Sequence, residues 1–403
     1  MRKKCSRFGG FMDMYGGRKM VFEHDDTRAT GVCIKVIGVG GGGSNAVGRM
    51  IRENIPGVEF VAVNTDRQAL SHSEAPTKLA IGDKITRGFG AGANPQIGAR
   101  AADESIEAIK GLLKGTDMVF VTAGMGGGTG TGAAPIIARA AHDLDILTVG
   151  IVTKPFAFEG KRRMSQAEEG ILELSQYVDS LVVIPNERLH LASNTKITLA
   201  NAFDIADDAL RRGVQSISDL ILQTGFINVD FADVTSVMKN AGYAHMGIGV
   251  GTGKDKAEEA AKQAITSPLM ETSIKGARGV LINITTNSNT GLDEAQYASD
   301  IISQEMAEDA NIIWGITYDE DLDDEMKITI IATGFDKSPD DETAVKAKQA
   351  DNSASGDKKA DKAPVQAKNP QPKTVVPTEM PPKKPAKEVI SDEEFDKLGW
   401  WSK

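Results

Sequence analysis

The sequence predicts an α/β protein, in which a parallel-sheet domain is joined by a long central helix to a smaller α/β domain with a mixed sheet, and in which both ends of the chain are disordered extensions. From Val32 to about Phe335, apolar strand-like runs alternate with helical patterns, which is typical of a parallel sheet covered on both faces. Beyond Phe335 no aromatic residue occurs until Phe395, and Lys, Pro, Ala, Asp and Gln dominate. Such a stretch cannot bury a core, and it predicts a flexible linker.

Composition and charge exclude several classes of protein. A chain of 403 residues with 40% hydrophobic residues is long enough for two domains and their tails. The net charge of −10 argues against nucleic acid as a partner, because binding to phosphates needs clustered Lys and Arg. The two cysteines, Cys5 and Cys33, are too few for a disulfide framework, which fits a cytoplasmic protein. No apolar run approaches the roughly 18 residues of a membrane span, so we expect no direct membrane insertion.

The elements of the first domain follow one another regularly. Residues 1–30 have no periodicity and predict a flexible extension. Buried strands are predicted in VCIKVIGVG, VEFVAVNTD, DMVFVTAG, ILTVGIVT and LVVIPN, and the first helix is expected to begin near Ser44. The segment PQIGARAADESIEAIKGLLK has a helical pattern, and Asn94 followed by Pro95 predicts its cap and first turn.

A long helix from about Lys196 to Leu222 is predicted next, because its apolar residues recur at spacings of three and four. Beyond it, YAHMGIGVGTG, RGVLINITTN, NIIWGITY and MKITIIATGF predict strands, separated by the helical patterns DKAEEAAKQAIT and LDEAQYASDIISQEMA. The predicted parts of the chain are the extension at 1–30, the first domain at 31–195, the connecting helix at 196–223, the second domain at 224–335, the disordered linker at 336–388 and a C-terminal peptide at 389–403.

Glycine-rich or polar loops end several of the predicted strands. They are the segments Gly38–Gly48, Asn64–Asp66, Gly88–Pro95 and Gly124–Gly132. Since ligands of open α/β sheets bind at the carboxyl ends of the strands, these loops are expected to converge. Glycines let backbone N–H groups face a shared concavity, and the helix after GGGTGTG adds its positive end. The pattern predicts a cradle for several phosphates, held by main chain, Thr129 and Thr131; tight turns and close helix packing are the alternative.

GGGTGTG after an apolar strand is the signature of the tubulin superfamily, and residues 32–335 resemble its FtsZ family of bacterial cell-division GTPases. The motifs GGGGSNAV, AVNTD, GAGANP, AGMGGGTGTGAAP, TKPFAFEGKRR, the AF-IADDAL helix and NVDFADV occur in the family's order and at compatible spacing. The resemblance implies a GTP-binding domain at 31–195, a C-terminal activation domain at 224–335, and head-to-tail filaments that form the division ring in the cytoplasm. It implies contacts of GTP or GDP with Gly41, Gly42, Gly43, Ser44, Asn45, Ala91, Gly92, Ala93, Gly124, Gly127, Gly128, Thr129, Gly130 and Thr131.

The base and ribose have their own candidate residues. Phe203 and Asp207 are four apart on one helix, so they offer an aromatic plane for a purine and a carboxylate that accepts the N1–H and N2–H of guanine. A core phenylalanine and a helix-surface aspartate are the alternatives. By resemblance, Asn45 and Asn186 contact the base and sugar, and Glu159 and Arg163 hold the ribose and reach the phosphates, for which a solvated loop is the alternative.

The segment FINVDFADV carries Asn228, Asp230 and Asp233, which are the candidate catalytic residues. A helix of about 27 residues spans roughly 40 Å, so it carries this segment away from the phosphate cradle. The resemblance implies that the carboxylates enter the nucleotide site of the next subunit and orient the attacking water, with Mg²⁺ balancing the phosphate charge. A cap role for Asp230 or Asp233 at the start of DVTSVMKN is the alternative.

Two other functions fit part of the pattern. A GTP-dependent filament scaffold with little hydrolysis would share the glycine loops but not a working carboxylate loop, and Asn228, Asp230 and Asp233 are all present. A nicotinamide oxidoreductase would use the G-x-G-x-x-G spacing at Gly38, Gly40 and Gly43, but GGGTGTG has no place in a dinucleotide fold.

The C-terminal peptide differs from the pattern of the family. Its relatives commonly end in a short apolar peptide with a proline and basic residues, which binds a membrane-tethering division protein, whereas this chain ends in the acidic SDEEFDKLGWWSK. Phe395, Leu398 and Trp401 are three apart, so a short amphipathic turn is expected to present them to a partner's groove. Filament bundling through Trp400 and Trp401 is the alternative.

Overall fold

A computed structural model describes residues 31–192, 198, 201–222, 227, 229–270, 274–307, 310–319 and 322–335. The strands in this part of the chain are β1 Ile34–Val39, β2 Val58–Asn64, β3 Thr77–Ala80, β4 Met118–Gly124, β5 Leu147–Lys154, β6 Ser180–Pro185, β7 Gly242–Thr252, β8 Gly279–Thr286, β9 Asn311–Tyr318 and β10 Glu325–Thr333.

The helices are α1 Gly40–Arg52, α2 Arg67–His72, α3 Asp83–Thr86, α4 Pro95–Glu104, α5 Ile106–Leu113, α6 Thr129–His142, α7 Lys161–Leu174, α8 Leu189–Ala192, α9 Ala202–Leu222, α10 Phe231–Met238, α11 Lys256–Ile265 and α12 Leu292–Ser303. Short 3₁₀ turns lie at Ala157–Glu159, Asn186–Arg188 and Gly253–Asp255.

The described strands form one sheet in the order β3-β2-β1-β4-β5-β6-β7-β10-β8-β9. The pairs from β3 to β7 are parallel. β10 runs antiparallel to β7 and β8, whereas β8 and β9 are parallel, so this half of the sheet is mixed. The predicted fold class is therefore confirmed, and the edge strand β3, which is short and half exposed, is an addition to the predicted strands.

Successive residues of each parallel strand face opposite layers of helices. On β1, Val36 belongs to the core that contains Val47 of α1 and Val214 of α9. The next residue, Ile37, belongs to the core on the other face, which α4 to α7 cover. A third core packs α11 and α12 against the strands of the mixed half. The sheet is thus covered on both faces, as the continuous apolar runs predict.

The first helix begins at Gly40, not near Ser44 as the sequence predicted. Tertiary packing overrides the low helix propensity of the glycine run. A Cβ on Gly43 would lie 2.4 Å from the Thr122 carbonyl oxygen of β4, so only glycine lets the first turn of α1 approach the sheet this closely. The segment predicted as one helix at 95–114 is two helices, α4 and α5, separated at Ser105.

The central helix α9 has 21 described residues and a length of about 32 Å. The predicted start near Lys196 and both terminal extensions lie outside the described residues. The predicted domain boundaries at 195, 223 and 335 stay predictions. None of the helices in the described residues is long and apolar enough to cross a membrane.

Candidate nucleotide-binding site

The predicted loops meet at the carboxyl edge of the parallel strands. The hydroxyl oxygens of Thr65 and Thr129 are 2.6 Å apart, which joins the loop after β2 to the first residue of α6. A Cβ on Gly40 would lie 2.8 Å from the Gly130 nitrogen, so α1 and α6 begin in contact. A Cβ on Gly128 would lie 2.9 Å from the Ala91 Cβ, which places the 88–95 loop against GGGTGTG. The structure thus brings the three glycine-rich segments together.

The amino ends of two helices therefore border the same concavity. α1 has 13 residues and α6 has 14, and the backbone N–H groups of their first turns have no partner within the helix. These groups and the positive helix ends favour an anion. Thr131 differs from its neighbours because it is buried and its hydroxyl oxygen accepts a hydrogen bond from the Gly126 N–H at 2.8 Å.

Two buried polar atoms beside the concavity have no hydrogen-bond partner among the described residues. They are the Ser44 hydroxyl oxygen at the start of α1 and the Asn186 side-chain oxygen after β6. A buried polar atom without a hydrogen bond costs about 1–3 kcal/mol, and a ligand with polar groups at both ends would remove this cost. The predicted residues therefore fit a nucleotide.

The candidate base site lies between α1 and α9. A cavity of about 270 Å³ is lined by Ser44, Asn45 and Arg49 of α1 and by Asp204 and Asp207 of α9. Phe203 is 50% exposed, so its ring is available as a stacking surface instead of belonging to the core. The lining of this cavity has hydrogen-bond donors and acceptors of the kind that a guanine needs, and Phe203 lies one residue before Asp204 on the same helix.

Asp207 has an unusual ionisation in this cavity. Burial, together with the nearby charge of Asp204, raises the pKa of the Asp207 carboxyl to about 7, although Arg49 and Arg52 act in the opposite direction. Its neighbour Asp208 behaves differently: burial acts against the charge, but ion pairs with Arg212 and Arg211 lower the pKa of Asp208. Adjacent carboxylates of α9 thus differ in their readiness to ionise.

An aromatic cluster supports Phe203. The rings of Phe156 and Phe158 are stacked with centroids 5.2 Å apart, and Phe203 packs edge-on against Phe156 at 5.8 Å and against Phe158 at 6.3 Å. Phe158 is 58% exposed and was not singled out from the sequence. The two phenylalanines of FAF were the available signal, since both lie in the loop after β5.

Glu159 and Arg163 lie where the loop after β5 enters α7. Their side chains form an ion pair at 3.1 Å, and Glu159 also accepts a hydrogen bond from the Phe156 N–H at 3.0 Å. Arg163 packs against Gly126, since a Cβ there would lie 2.7 Å from the Arg163 Cγ. Glu159 and Arg163 are therefore held by contacts with the protein beside the glycine loop and do not belong to a freely solvated loop.

The candidate catalytic residues lie near the amino ends of the parallel strands, at the opposite end from the glycine loops. The Ser180 hydroxyl, at the start of β6, donates to the Met238 carbonyl of α10 at 2.7 Å, and Lys239 pairs with Asp145 before β5 at 3.2 Å. α10 therefore borders the amino ends of the strands, about 20 Å from the glycine loops across a seven-residue strand such as β4. The structure does not bring Asp230 and Asp233 together with the concavity of the same chain.

Asp230 is the N-cap of α10. Its Oδ1 accepts a hydrogen bond from the Asp233 N–H at 2.7 Å, so the cap alternative describes a contact that exists. Asp230 and Asp233 are both exposed. Asn228 lies outside the described residues. Across the described ranges, no three His, Cys, Asp or Glu side chains form a group that could hold a metal ion.

Comparison with known proteins agrees with this geometry. A family model described as Tubulin/FtsZ family, GTPase domain, matches residues 33–194, and one described as FtsZ family, C-terminal domain, matches residues 242–336. The chain is similar to an empty FtsZ dimer from M. jannaschii, with 45% identity, a TM-score of 0.73, and coverage of 76% of this chain and 89% of that one. A point mutant of M. jannaschii FtsZ matches at 44% identity and a TM-score of 0.73, over 76% of this chain and 92% of that one. CetZ2 from Haloferax volcanii, in a GTPγS-bound protofilament, shares the fold at 20% identity and a TM-score of 0.64, over 80% and 99% of the two chains.

Proposed function

Because the chain belongs to the FtsZ family of the tubulin superfamily, we propose that it is a cytoskeletal GTPase that polymerises head to tail and hydrolyses GTP where two copies meet. One observation carries the proposal. The glycine loops lie at the carboxyl ends of the parallel strands, whereas the exposed carboxylates Asp230 and Asp233 lie near their amino ends. Stacking copies in one direction brings the carboxylate edge of one chain onto the glycine edge of the next.

Binding of GTP or GDP would use the concavity and the adjoining cavity. The N–H groups of the first turns of α1 and α6 would hold the phosphates, and the ring of Phe203 would stack on the base. The ionised Asp207 carboxylate would accept the N1–H and N2–H of guanine. Asn45 and Asn186 would contact the base and sugar, and Glu159 and Arg163 the ribose and the phosphate side.

Hydrolysis would combine groups from two copies. The carboxylates of Asp230 and Asp233, with Asn228, would orient and polarise the attacking water against the γ-phosphate bound by the neighbouring chain. Oδ1 of Asp230 holds the start of α10, which would fix the position of Oδ2. Mg²⁺ bound to the nucleotide phosphates would offset their negative charge.

A mixture of two inactive variants tests the shared site. Asp230→Ala keeps the nucleotide concavity but loses the water-orienting carboxylate. Gly128→Val keeps the carboxylate but distorts the concavity, because even a Cβ there would lie 2.9 Å from the Asn94 nitrogen and would push the 88–95 loop away. We expect each variant alone to be inactive and a mixture to regain hydrolysis at the contact between an intact concavity and an intact carboxylate.

Light scattering on the same samples separates the outcomes. Co-assembly of the two variants without restored hydrolysis would contradict the shared site. The alternative function, a GTP-dependent scaffold with little hydrolysis, predicts filaments of the native protein with almost no release of phosphate.

We further propose that the filaments form the cell-division ring in the cytoplasm, and that residues 389–403 bind a membrane-tethering division protein. The family and the apolar spacing of Phe395, Leu398 and Trp401 support this proposal. The acidic residues Asp392 and Glu393 call for a groove with a basic rim. This peptide and the preceding linker lie outside the described residues.

A further inference from the structure

Arg49 connects the two helices that line the candidate base site. Its Nε lies 3.5 Å from Oδ1 of Asp208, and its Nη1 donates to the Asp204 carbonyl oxygen at 3.2 Å. Arg49 belongs to α1 and both partners belong to α9. Arg49 Nε has no hydrogen-bond partner among the described residues, so its contact with Asp208 is an ion pair, and the hydrogen bond across the gap between the helices is the one from Nη1 to Asp204.

The helical spacing puts this link beside the base. Arg49 lies four residues after Asn45, so the two side chains share a face of α1. On α9, Asp207 lies between Arg49's partners Asp204 and Asp208. Both Arg49 and Asp207 line the 270 Å³ cavity. Any shift of α9 relative to α1 would move the Asp207 carboxylate away from a base held against Asn45.

Asp208 is held from both sides. Arg212 of α9 donates to its Oδ2 at 2.8 Å, and Arg211 lies 2.9 Å from its Oδ1. These two arginines are on the same helix as Asp208, so they fix the carboxylate without crossing to α1. Arg49 is the residue in this cluster that joins the helices.

The charge of Arg49 also acts on Asp207. Around that carboxyl, the facing charged or titratable groups are Asp204 of α9, Arg49 and Arg52 of α1, and His72 and Glu74 from α2 and the loop after it. Arg49 is the larger of the two influences that lower the pKa of Asp207, after burial and Asp204 raise it. A protonated Asp207 accepts fewer hydrogen bonds, so it loses the guanine donor pair.

We propose that Arg49 is a positioning residue for guanine selectivity: it ties α1 to α9 through Asp208 and the Asp204 carbonyl, and it holds Asp207 in place opposite the base. The inference rests on the proposed binding of GTP. It assigns the selectivity of the site to a residue on the first helix in addition to Asp207 itself.

Calorimetric binding of GTP and of ATP to the full chain, between pH 6 and 8.5, tests this role. In the native protein, GTP affinity should rise with pH through the titration of Asp207. Arg49→Met should weaken GTP binding about tenfold or more at pH 7 and move the midpoint of the pH profile upward by about one unit, with little change in the weak binding of ATP. Arg49→Lys should keep the native midpoint, because it keeps the charge, and lose affinity by a few-fold, because it loses the fork.

Arg212→Met is the matched control. It removes another ion pair of Asp208 but leaves the link between the helices, so the pH midpoint should stay native. Coupling provides a second test: Arg49→Met combined with Asp208→Asn should weaken GTP binding less than the sum of the single effects. Thermal unfolding of every variant checks that the chain is folded.

The possible results distinguish the positioning role of Arg49 from the proposed function. Arg49→Met with native GTP affinity and pH profile overturns the positioning role, and so does an equal loss of GTP and ATP binding with an unmoved midpoint. If Arg49→Met does not fold, the Arg49→Lys profile decides, since a shifted midpoint there contradicts the role of the charge. A native protein that binds no GTP at any pH overturns the proposed function itself.

Discussion

Asp207 is the residue that we propose selects the base in the cavity between α1 and α9. Adenine has no donor pair for this carboxylate and would leave it desolvated and unpaired. We expect GTP to bind about a hundredfold or more tightly than ATP, and Asp207→Ala to remove most of this preference. Competition binding of both nucleotides to the native and variant chains measures it. Full discrimination by the variant would place base recognition elsewhere.

The raised pKa of Asp207 also predicts how the nucleotide-free protein responds to pH. The folded carboxyl titrates near pH 7, whereas the unfolded one titrates near its ordinary value of 3.8. Between these values the unfolded chain binds fewer protons, so the free energy of unfolding falls as pH rises from about 4 to about 7. Asp207→Asn removes this contribution. Denaturant unfolding at pH 5 and pH 7.5 should show a smaller decrease for the variant, and an equal decrease would contradict the assignment to Asp207.

The glycines of helix α1 differ in how closely they pack against the rest of the protein. The Cβ of Gly43→Ala would lie 2.4 Å from the Thr122 carbonyl oxygen, so the helix or β4 must move. We expect a loss of about 1–3 kcal/mol in the free energy of unfolding. Gly48→Ala, on the same helix, meets no atom within 4 Å and should be neutral or stabilising by up to about 1 kcal/mol. Denaturant unfolding of the two variants would contradict this account if they behaved alike.

Helix α10 depends on the same residue that is proposed to act in hydrolysis. Asp230→Ala removes the N-cap and should cost about 0.5–2 kcal/mol of stability, whereas Asp230→Asn keeps a capping oxygen. Both variants lose the carboxylate charge, so both should lower GTP hydrolysis by about a hundredfold or more and leave GTP binding nearly native. Rates and unfolding curves on the same preparations separate the two roles. Native hydrolysis by Asp230→Asn would limit this residue to its cap.

The nucleotide concavity and the carboxylates of one chain lie far apart, so the proposed activity depends on contact between two copies. A single chain holds the concavity at one edge of the sheet and the carboxylates at the other, so hydrolysis per chain should rise from near zero above a critical protein concentration. Phosphate release measured over a dilution series checks this. A constant rate per chain at every concentration would mean that one copy suffices.

The C-terminal peptide is proposed to connect the filament to a partner. We expect deletion of residues 390–403 to leave polymerisation and GTP hydrolysis of the purified protein unchanged and to abolish binding to a membrane-associated partner with an apolar groove. Sedimentation of full-length and truncated protein at matched GTP provides the control. Fewer pelleted bundles after truncation, with no partner present, would instead favour bundling through Trp400 and Trp401.

The class of fold, nine of the ten described strands and the loops that end them were predictable from the amino-acid sequence, because alternating apolar runs and glycine clusters are local patterns. It also indicated the family through motifs such as GGGTGTG and NVDFADV. Features that depend on distant parts of the chain became visible only in the folded protein. α1 begins at Gly40 because β4 lies against it, and Asp207 has a raised pKa because burial and neighbouring charges surround it. The separation of the carboxylates from the glycine loops depends on the contact of Ser180 with Met238, 58 residues away, and Arg49 pairs with Asp208 from a different helix. No local pattern encodes such contacts between distant parts of the chain.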